Sequence, residues 1–526
     1  MSEIAAVAIV AALLLLARWR AGWIDEVERW FLRVLGSPRA SWRWLLGLAV
    51  VAFAGQAAVA LVAGMPVGRI HDDFSHLLAG DTFAHGRLAN PTHPLWRHFE
   101  TFHVLLQPTY ASKYPPATGL ALALGELLGH PAIGVWLAGA LFCVVATWAL
   151  GAWLRPAWAR LGGVVAAATL VVASPWSWQF SGGFLPAIGG ALLFGAAVRL
   201  ERSTRAAKAA ARGADGAWRR SGASWRLGLA LGTGLAVLAA SRPWEGMAAA
   251  CVALVPLLWR FVRAREARRR LVRAAGAAIL LLATAAGWLA WYQWRVTGSP
   301  WTMPYRLYDA RYAPIPVFLW QSPRAVEPSP HAVMARFYSE WEHGAWTKQH
   351  TPFGWLKTAL QKSRRLWRFY IGPLGTLALA GVPWALRRRG PRWAAAGLGV
   401  LLLSQLAIVP SRPHYVAPGA CLAVYLIVEG WRQLRVWRRG ARGAAGARRF
   451  GSHLATALLV AFVAVLPLRA LALRPEPTEW FVQRAAMQRR LDAMPGHQLV
   501  LVRYGPAHEG GAEWVYNDAD LFGTRV

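Results

Sequence analysis

Residues Ile70–Trp96 read IHDDFSHLLAGDTFAHGRLANPTHPLW. This polar stretch follows almost directly on Trp44–Gly64, an apolar run of the roughly 20 residues that a spanning helix requires. Two adjacent carboxylates, Asp72 and Asp73, therefore stand at the edge of a membrane segment. A carboxylate in that position takes a proton, holds a metal or binds a cation.

The rest of the chain supports a membrane setting. Of its 526 residues 56% are hydrophobic, and the mean hydropathy is +0.31. Long apolar runs recur at Trp44–Gly64, Pro131–Leu154, Ala274–Tyr292 and Leu454–Leu473. The formal charge of +33 raises the question of nucleic acid. Its distribution argues against that partner. Most Lys and Arg residues sit in short connections between apolar runs: Arg18–Arg43, Arg155–Arg160, Arg199–Arg226, Arg260–Arg273, Arg387–Arg392 and Arg432–Arg449. Such a bias marks cytoplasmic loops. A nucleic-acid binder would gather its cations on one folded face. The three cysteines, Cys143, Cys251 and Cys421, lie inside apolar runs and read as small hydrophobes.

With the basic loops inside, the chain crosses about eleven times, and Ile4–Ala17 reads as a retained helix that would make a twelfth. The expected fold class is an all-α polytopic membrane protein of about 11–12 transmembrane helices. Residues 1–473 form the membrane domain, with external loops at 65–130 and 293–370. Pro116–Gly129 is too short to span and reads as an interfacial helix. Residues 474–526 read as a small external α/β piece, with a helix at Thr478–Met494 and strands at His497–Tyr504 and Glu513–Tyr516. Ala-rich spans with Arg-rich turns suggest a bacterial cytoplasmic membrane, with the polar clusters facing the periplasm.

The Asp72-Asp73 pair followed by Gly86-Arg87-Leu88 resembles the first external loop of the GT-C superfamily of membrane glycosyltransferases. Lys113-Tyr114-Pro115-Pro116 is similar to that superfamily's later Pro-Pro segment. The pattern looks most like the branch containing protein O-mannosyltransferases and lipid A aminoarabinose transferases. Within it, Tyr292–Tyr305, Arg412–Pro418 and Leu501–Asp520 are similar to a bacterial group. Two departures stand out: Phe184-Leu185-Pro186 is followed by Ala187 where many relatives carry Asp, and Tyr114 separates Lys113 from Pro115.

The resemblance implies sugar transfer from a polyprenyl-phosphate donor to a glycan, lipid or protein acceptor outside the membrane. It implies inversion at the sugar, with Asp72 as general base and Asp73 orienting the acceptor or helping to hold a metal. The alternative for both is a pair of solvated or helix-capping acids. Lys113, Arg242, Arg412 and His414 are candidates for the donor phosphate, against ordinary snorkelling toward headgroups. His71, Tyr114, Glu245 and Tyr415 are candidate substrate contacts, and Arg242 has Glu245 close enough on a helix to pair with it. His71, His76, His85, His93, His98 and His103 crowd the first loop without a metal-ligand spacing. No protein-bound metal or cofactor is assigned, and a divalent ion is left open. Trp96, Trp176, Trp178 and Trp244 are sugar platforms or interfacial anchors. A transporter of lipid-linked precursors and a non-catalytic envelope assembly factor remain as competing classes; the lack of an internal repeat counts against the transporter.

Overall fold

Apolar runs without hydrogen-bond partners in lipid must close their backbone bonds internally, and helices do so. The computed structural model describes residues 2–526 apart from 20, 37–40, 211–223, 328, 437–444, 507, 510 and 524–526. Helices dominate it, with a single two-stranded sheet among the described residues. Six helices are long and apolar enough to cross a membrane: Trp42–Ala63, Pro131–Leu150, Phe184–Arg205, Pro243–Arg263, Ala267–Thr297 and Ser452–Leu473. The architecture is that of an all-α polytopic membrane protein.

The other expected crossings are helices that are shorter or broken. Pro156–Ala166 runs into a π-helical turn at Ala167–Val171. Ile371–Leu386 divides into Gly372–Leu379 and Val382–Ala385, where Pro373 and Pro383 each remove a backbone donor. Pro413 opens a 3-10 segment, Pro413–Gly419, ahead of Ala420–Val436. Arg265–Thr297 ends at Gly298, whose φ of 80° is the left-handed geometry of a helix stop.

The Phe184–Ala210 helix runs through the core, with Phe184, Phe194 and Ala187 fully buried. A Cβ on Gly190 would lie 2.0 Å from the Pro418 carbonyl oxygen, so only glycine permits this approach. Leu61, Ile279 and Leu280 are exposed and face outward from the bundle, as side chains in lipid do.

The first long loop, residues 65–130, carries the helix His71–Ala84, the antiparallel strands Val104–Leu105 and Ala111–Ser112, and the helix Pro116–Leu127. The last has 12 residues and leaves Leu120, Leu124 and Leu127 exposed on one side, as an interfacial helix would. The second long loop, residues 293–370, is built from Pro304–Tyr312, Ala332–Arg336, His343–Gln349 and Pro352–Tyr370.

The tail differs from expectation. Its helix forms at Trp480–Asp492. The strands expected at 497–504 and 513–516 do not form. Leu499 and Leu501 are 84% and 87% exposed, and no neighbouring edge pairs with them. The tail also packs on the first loop. Tyr516 stacks on Phe74 at 4.1 Å, the Ala519 N–H donates to Asp81 at 2.6 Å, and Ala519 is buried.

Candidate active site

Asp72 and Asp73 both fall in the first turn of the His71–Ala84 helix, where the helix dipole favours negative charge. Their side chains turn in different directions. The Asp73 carboxylate is fully buried and accepts three backbone N–H bonds, from Phe180 and Ser181 at 3.0 and 2.9 Å and from Arg69 at 3.1 Å. It ties the His71–Ala84 helix to the connection between two core helices. Burial pushes its pKa up to about 6, against the pull of those backbone donors.

Asp72 keeps 18% of its side chain exposed. One oxygen, Oδ1, accepts from the Tyr114 hydroxyl at 2.6 Å and lies 2.9 Å from His103 Nδ1. The other, Oδ2, takes no hydrogen bond from the described residues. Burial opposes ionisation, but the hydrogen bonds from His103 and Tyr114 win and hold the carboxyl well below its usual range. Burial raises Tyr114 well above 10, so it stays a neutral donor. Burial, with the charge of Lys113, lowers His103 to about 4. A neutral imidazole carrying its proton on Nδ1 fits this geometry.

His103 is held hard in place. It has φ of 62°, the left-handed region that β-carbons resist. Its N–H donates to Tyr308 Oη at 2.9 Å, and its carbonyl accepts from Ser75 Oγ at 2.6 Å. His76 stacks on Tyr114 at 4.5 Å; its Nδ1 is buried and has no hydrogen-bond partner. His71 bonds Tyr516 through Nδ1 at 2.7 Å and stacks on Phe102 at 4.0 Å.

Of the residues selected from sequence for the phosphate, His414 and Arg242 lie near Asp72. His414 is buried, with no hydrogen-bond partner for Nε2, and lies within electrostatic reach of Asp72. Arg242 covers the ring of Tyr415 at 4.4 Å and is likewise within reach of Asp72. The expected Arg242–Glu245 pair is not a salt bridge among the described residues; Glu245 is buried one turn on, within electrostatic reach of Arg242. Lys113 is buried in a cage of Tyr305 and Tyr308 rings at 4.6 and 4.4 Å, with Asp309 at 3.7 Å. It shares a cavity of about 710 Å³ with exposed Arg412, Lys362 and Arg365.

Trp176 and Trp178 are 1% and 2% exposed, so they serve neither as sugar platforms nor as interfacial anchors. Trp176 packs against Phe369 instead. Trp96 carries Arg311 over its ring at 4.4 Å, and Trp244 packs on Phe318 at 4.7 Å. Among the described residues, the His-and-acid group with ligand atoms close enough for a metal is Asp81, His85 and Glu126, not the surroundings of Asp72.

No protein-family profile matches the chain, and no curated protein does. Solved structures do. The oligosaccharyltransferase of Archaeoglobus fulgidus, crystallised with a tethered acceptor peptide containing the NVT sequon, aligns with a TM-score of 0.51 and 12% identity, over 86% of this chain and 58% of that one. The likeness covers most of this chain and is one of helical fold. The same archaeal enzyme, AglB, in complex with an inhibitory peptide and a dolichol-phosphate gives 0.50 and 12% over the same shares of both chains. This chain thus spans less than three fifths of the archaeal enzyme's length. ArnT from Cupriavidus metallidurans in the apo state has 13% identity and a TM-score of 0.47, over 90% of this chain and 85% of that one. At such identities the likeness is one of fold.

Within this site, His103, His76, Tyr305, Tyr308 and Asp309 are the residues that sequence reasoning did not assign. His103 and His76 stood in the histidine-rich loop without a spacing to single them out. The others come from the second long loop, some 200 residues away from Asp72 in the chain.

Proposed function

We propose that the chain is a membrane glycosyltransferase that moves a sugar from a polyprenyl-phosphate carrier to an acceptor on the outer face of a bacterial cytoplasmic membrane. The observation that carries this reading is the asymmetric Asp72 carboxylate, anchored through one oxygen by two neutral donors, open at the other, with Arg242 and His414 within electrostatic reach. A base so held is ionised at neutral pH and pointed by its partners.

In this reading Asp72 Oδ2 takes the proton of the acceptor's nucleophile as that atom attacks the anomeric carbon. The bond between that carbon and the phosphate oxygen breaks on the opposite face, which inverts the centre. The departing lipid phosphate keeps the bonding electrons, and Lys113, Arg242, Arg412 and His414 supply charge and hydrogen bonds to it. Tyr415 and Glu245 line the approach beside Arg242. His71 and Tyr114 act by positioning, through the tail and through Asp72. Asp73 holds the helix and does not touch the acceptor. The residues present near Asp72 do not form a metal cage, so every step is assigned to side chains.

The test is reconstitution in lipid with polyprenyl-phosphate sugars and mixed envelope acceptors. Turnover by wild type that disappears in Asp72→Asn, with thermal stability unchanged, supports the reading. Movement of the sugar lipid between leaflets without transfer would assign the chain to transport. Binding with neither activity would assign it to assembly.

A further inference from the structure

The proposal concerns a second cavity, of about 840 Å³, between the helices Pro352–Tyr370 and Leu466–Leu473. Four arginines line it, Arg364, Arg365, Arg368 and Arg469, and no Asp or Glu is among its lining residues. Two further cavities are different. One contains Asp81, Glu126, Asp518 and Asp520, and the other Asp309, Glu340 and Glu342. Guanidinium groups are planar, multidentate donors suited to phosphate, so four of them lining one cavity favour an anion there.

The surroundings place this cleft at the level of lipid headgroups. Phe353, Leu356, Leu360 and Trp367 recur along one side of the 352–370 helix at helical spacing, and all four are exposed. Leu468 and Leu471 are exposed on the Leu466–Leu473 helix, whose Arg469, Ala472 and Leu473 line the cavity. The floor is apolar, with Phe369, Ile371 and Leu374. A cationic mouth over apolar walls suits a phosphate attached to a hydrocarbon chain.

The cleft adjoins the reaction centre. Arg365 and Gln361 line both it and the cavity that holds Lys113 and Arg412. Arg365 Nη1 donates to the Ser411 carbonyl at 2.8 Å, next to Arg412. Arg469 Nη1 donates to the Ala168 carbonyl at 3.3 Å. Each bond uses one of a guanidinium's five donors and leaves others for an anion. Arg364 makes no hydrogen bond or ion pair with the described residues.

We propose that this arginine cleft is a loading site for the phosphate headgroup of a membrane lipid, and that Arg365 stands between this waiting position and the Lys113–Arg412 cavity. That the lipid is the isoprenoid carrier rests on the transferase reading above. The phosphate recognition itself does not.

The experiment uses full-length protein in neutral phosphatidylcholine nanodiscs and a photoreactive polyprenyl monophosphate, with labelled peptides mapped by mass spectrometry. No sugar or acceptor is added, so the result is independent of transfer. Labelling is expected on segments 361–373 and 465–473. Arg364→Gln/Arg368→Gln/Arg469→Gln should lower it roughly 100-fold, since each headgroup-level cation contributes roughly fivefold. Substituting Lys at the same three positions should keep most of the labelling, which separates charge from folding. Asp72→Asn should label like wild type. Equal labelling by the uncharged polyprenyl alcohol, or labelling indifferent to the Gln substitutions, would overturn the site. Displacement of the probe by millimolar inorganic phosphate would show a free-anion site and overturn the lipid assignment. If labelling behaves as expected but wild type never transfers sugar, the cleft stands and the transferase reading falls.

Discussion

The two ends of the helix His71–Ala84 carry the same chemistry in different settings. At the start, Asp72 and Asp73 meet a dense set of donors. At the finish, Asp81 faces His85 at 2.9 Å and gathers with Glu126 beside an open cavity of about 1200 Å³. The first end fixes charge: its partners hold Asp72 ionised. The second end resists charge: burial, followed by the nearby Asp81, raises Glu126 to about 7. A carboxylate's neighbours, not its place in an acidic motif, decide whether it is a base.

The largest effect should come from the starting end. Asp72→Asn removes the base and should lower the transfer rate about 10³-fold with the melting temperature held, the usual worth of a positioned general base. A loss under about tenfold, measured with saturating donor, would place the base elsewhere.

Tyr114→Phe keeps the carboxylate but removes one donor. Activity should fall roughly 10- to 100-fold, the worth of a hydrogen bond to a charged group. The acid limb of the pH–rate profile should also move upward, because Tyr114 favours the ionised form. In wild type that limb should lie near or below the value of about 4 to which burial brings His103, so the rate should be flat from pH 6 to 8. A wild-type limb near pH 6.5 would mean an exposed, ordinary histidine controls the reaction.

Asp73→Asn tests the contrast between neighbours. Three backbone donors lose a charged acceptor, and stability should drop by about 2 kcal/mol. The rate per folded molecule should stay within about threefold, since Asp73 does not reach the reacting atoms. A selective loss of rate at unchanged stability would give Asp73 a chemical part after all.

The smallest effect belongs to the finishing end. The folded-state pKa of Glu126 lies above its ordinary value of 4.5, so the protonated form stabilises the fold below pH 4.5. That contribution is lost as pH rises through about 7. Glu126→Gln should therefore gain on wild type between pH 5 and 8, by roughly 1 kcal/mol once solvent screening is allowed for. Melting curves across that range provide the measurement; parallel curves would show that Glu126 is solvated.

The helical class was legible because apolar length and basic turns act locally. Asp72, Tyr114, Arg242 and His414 were legible as polar residues at the edges of spans. His103 was not, because its role depends on a left-handed backbone and a contact 31 residues back along the chain. The cage around Lys113 was hidden for a similar reason: Tyr305, Tyr308 and Asp309 belong to a loop whose docking no local pattern reports. The tail misled in the other direction. Alternation in residues 497–504 describes a strand only where another edge completes its hydrogen bonds, and here Leu499 and Leu501 meet no such edge.

The tail has one more consequence. Tyr516 and Ala519 brace the helix that carries Asp72, yet they follow the last apolar run by more than 40 residues. A nascent chain that has threaded every hydrophobic segment into the bilayer still lacks that brace. Insertion of the apolar runs and completion of the setting around Asp72 are therefore separate events in synthesis, and the second waits until residues 516–519 have folded back over the first loop.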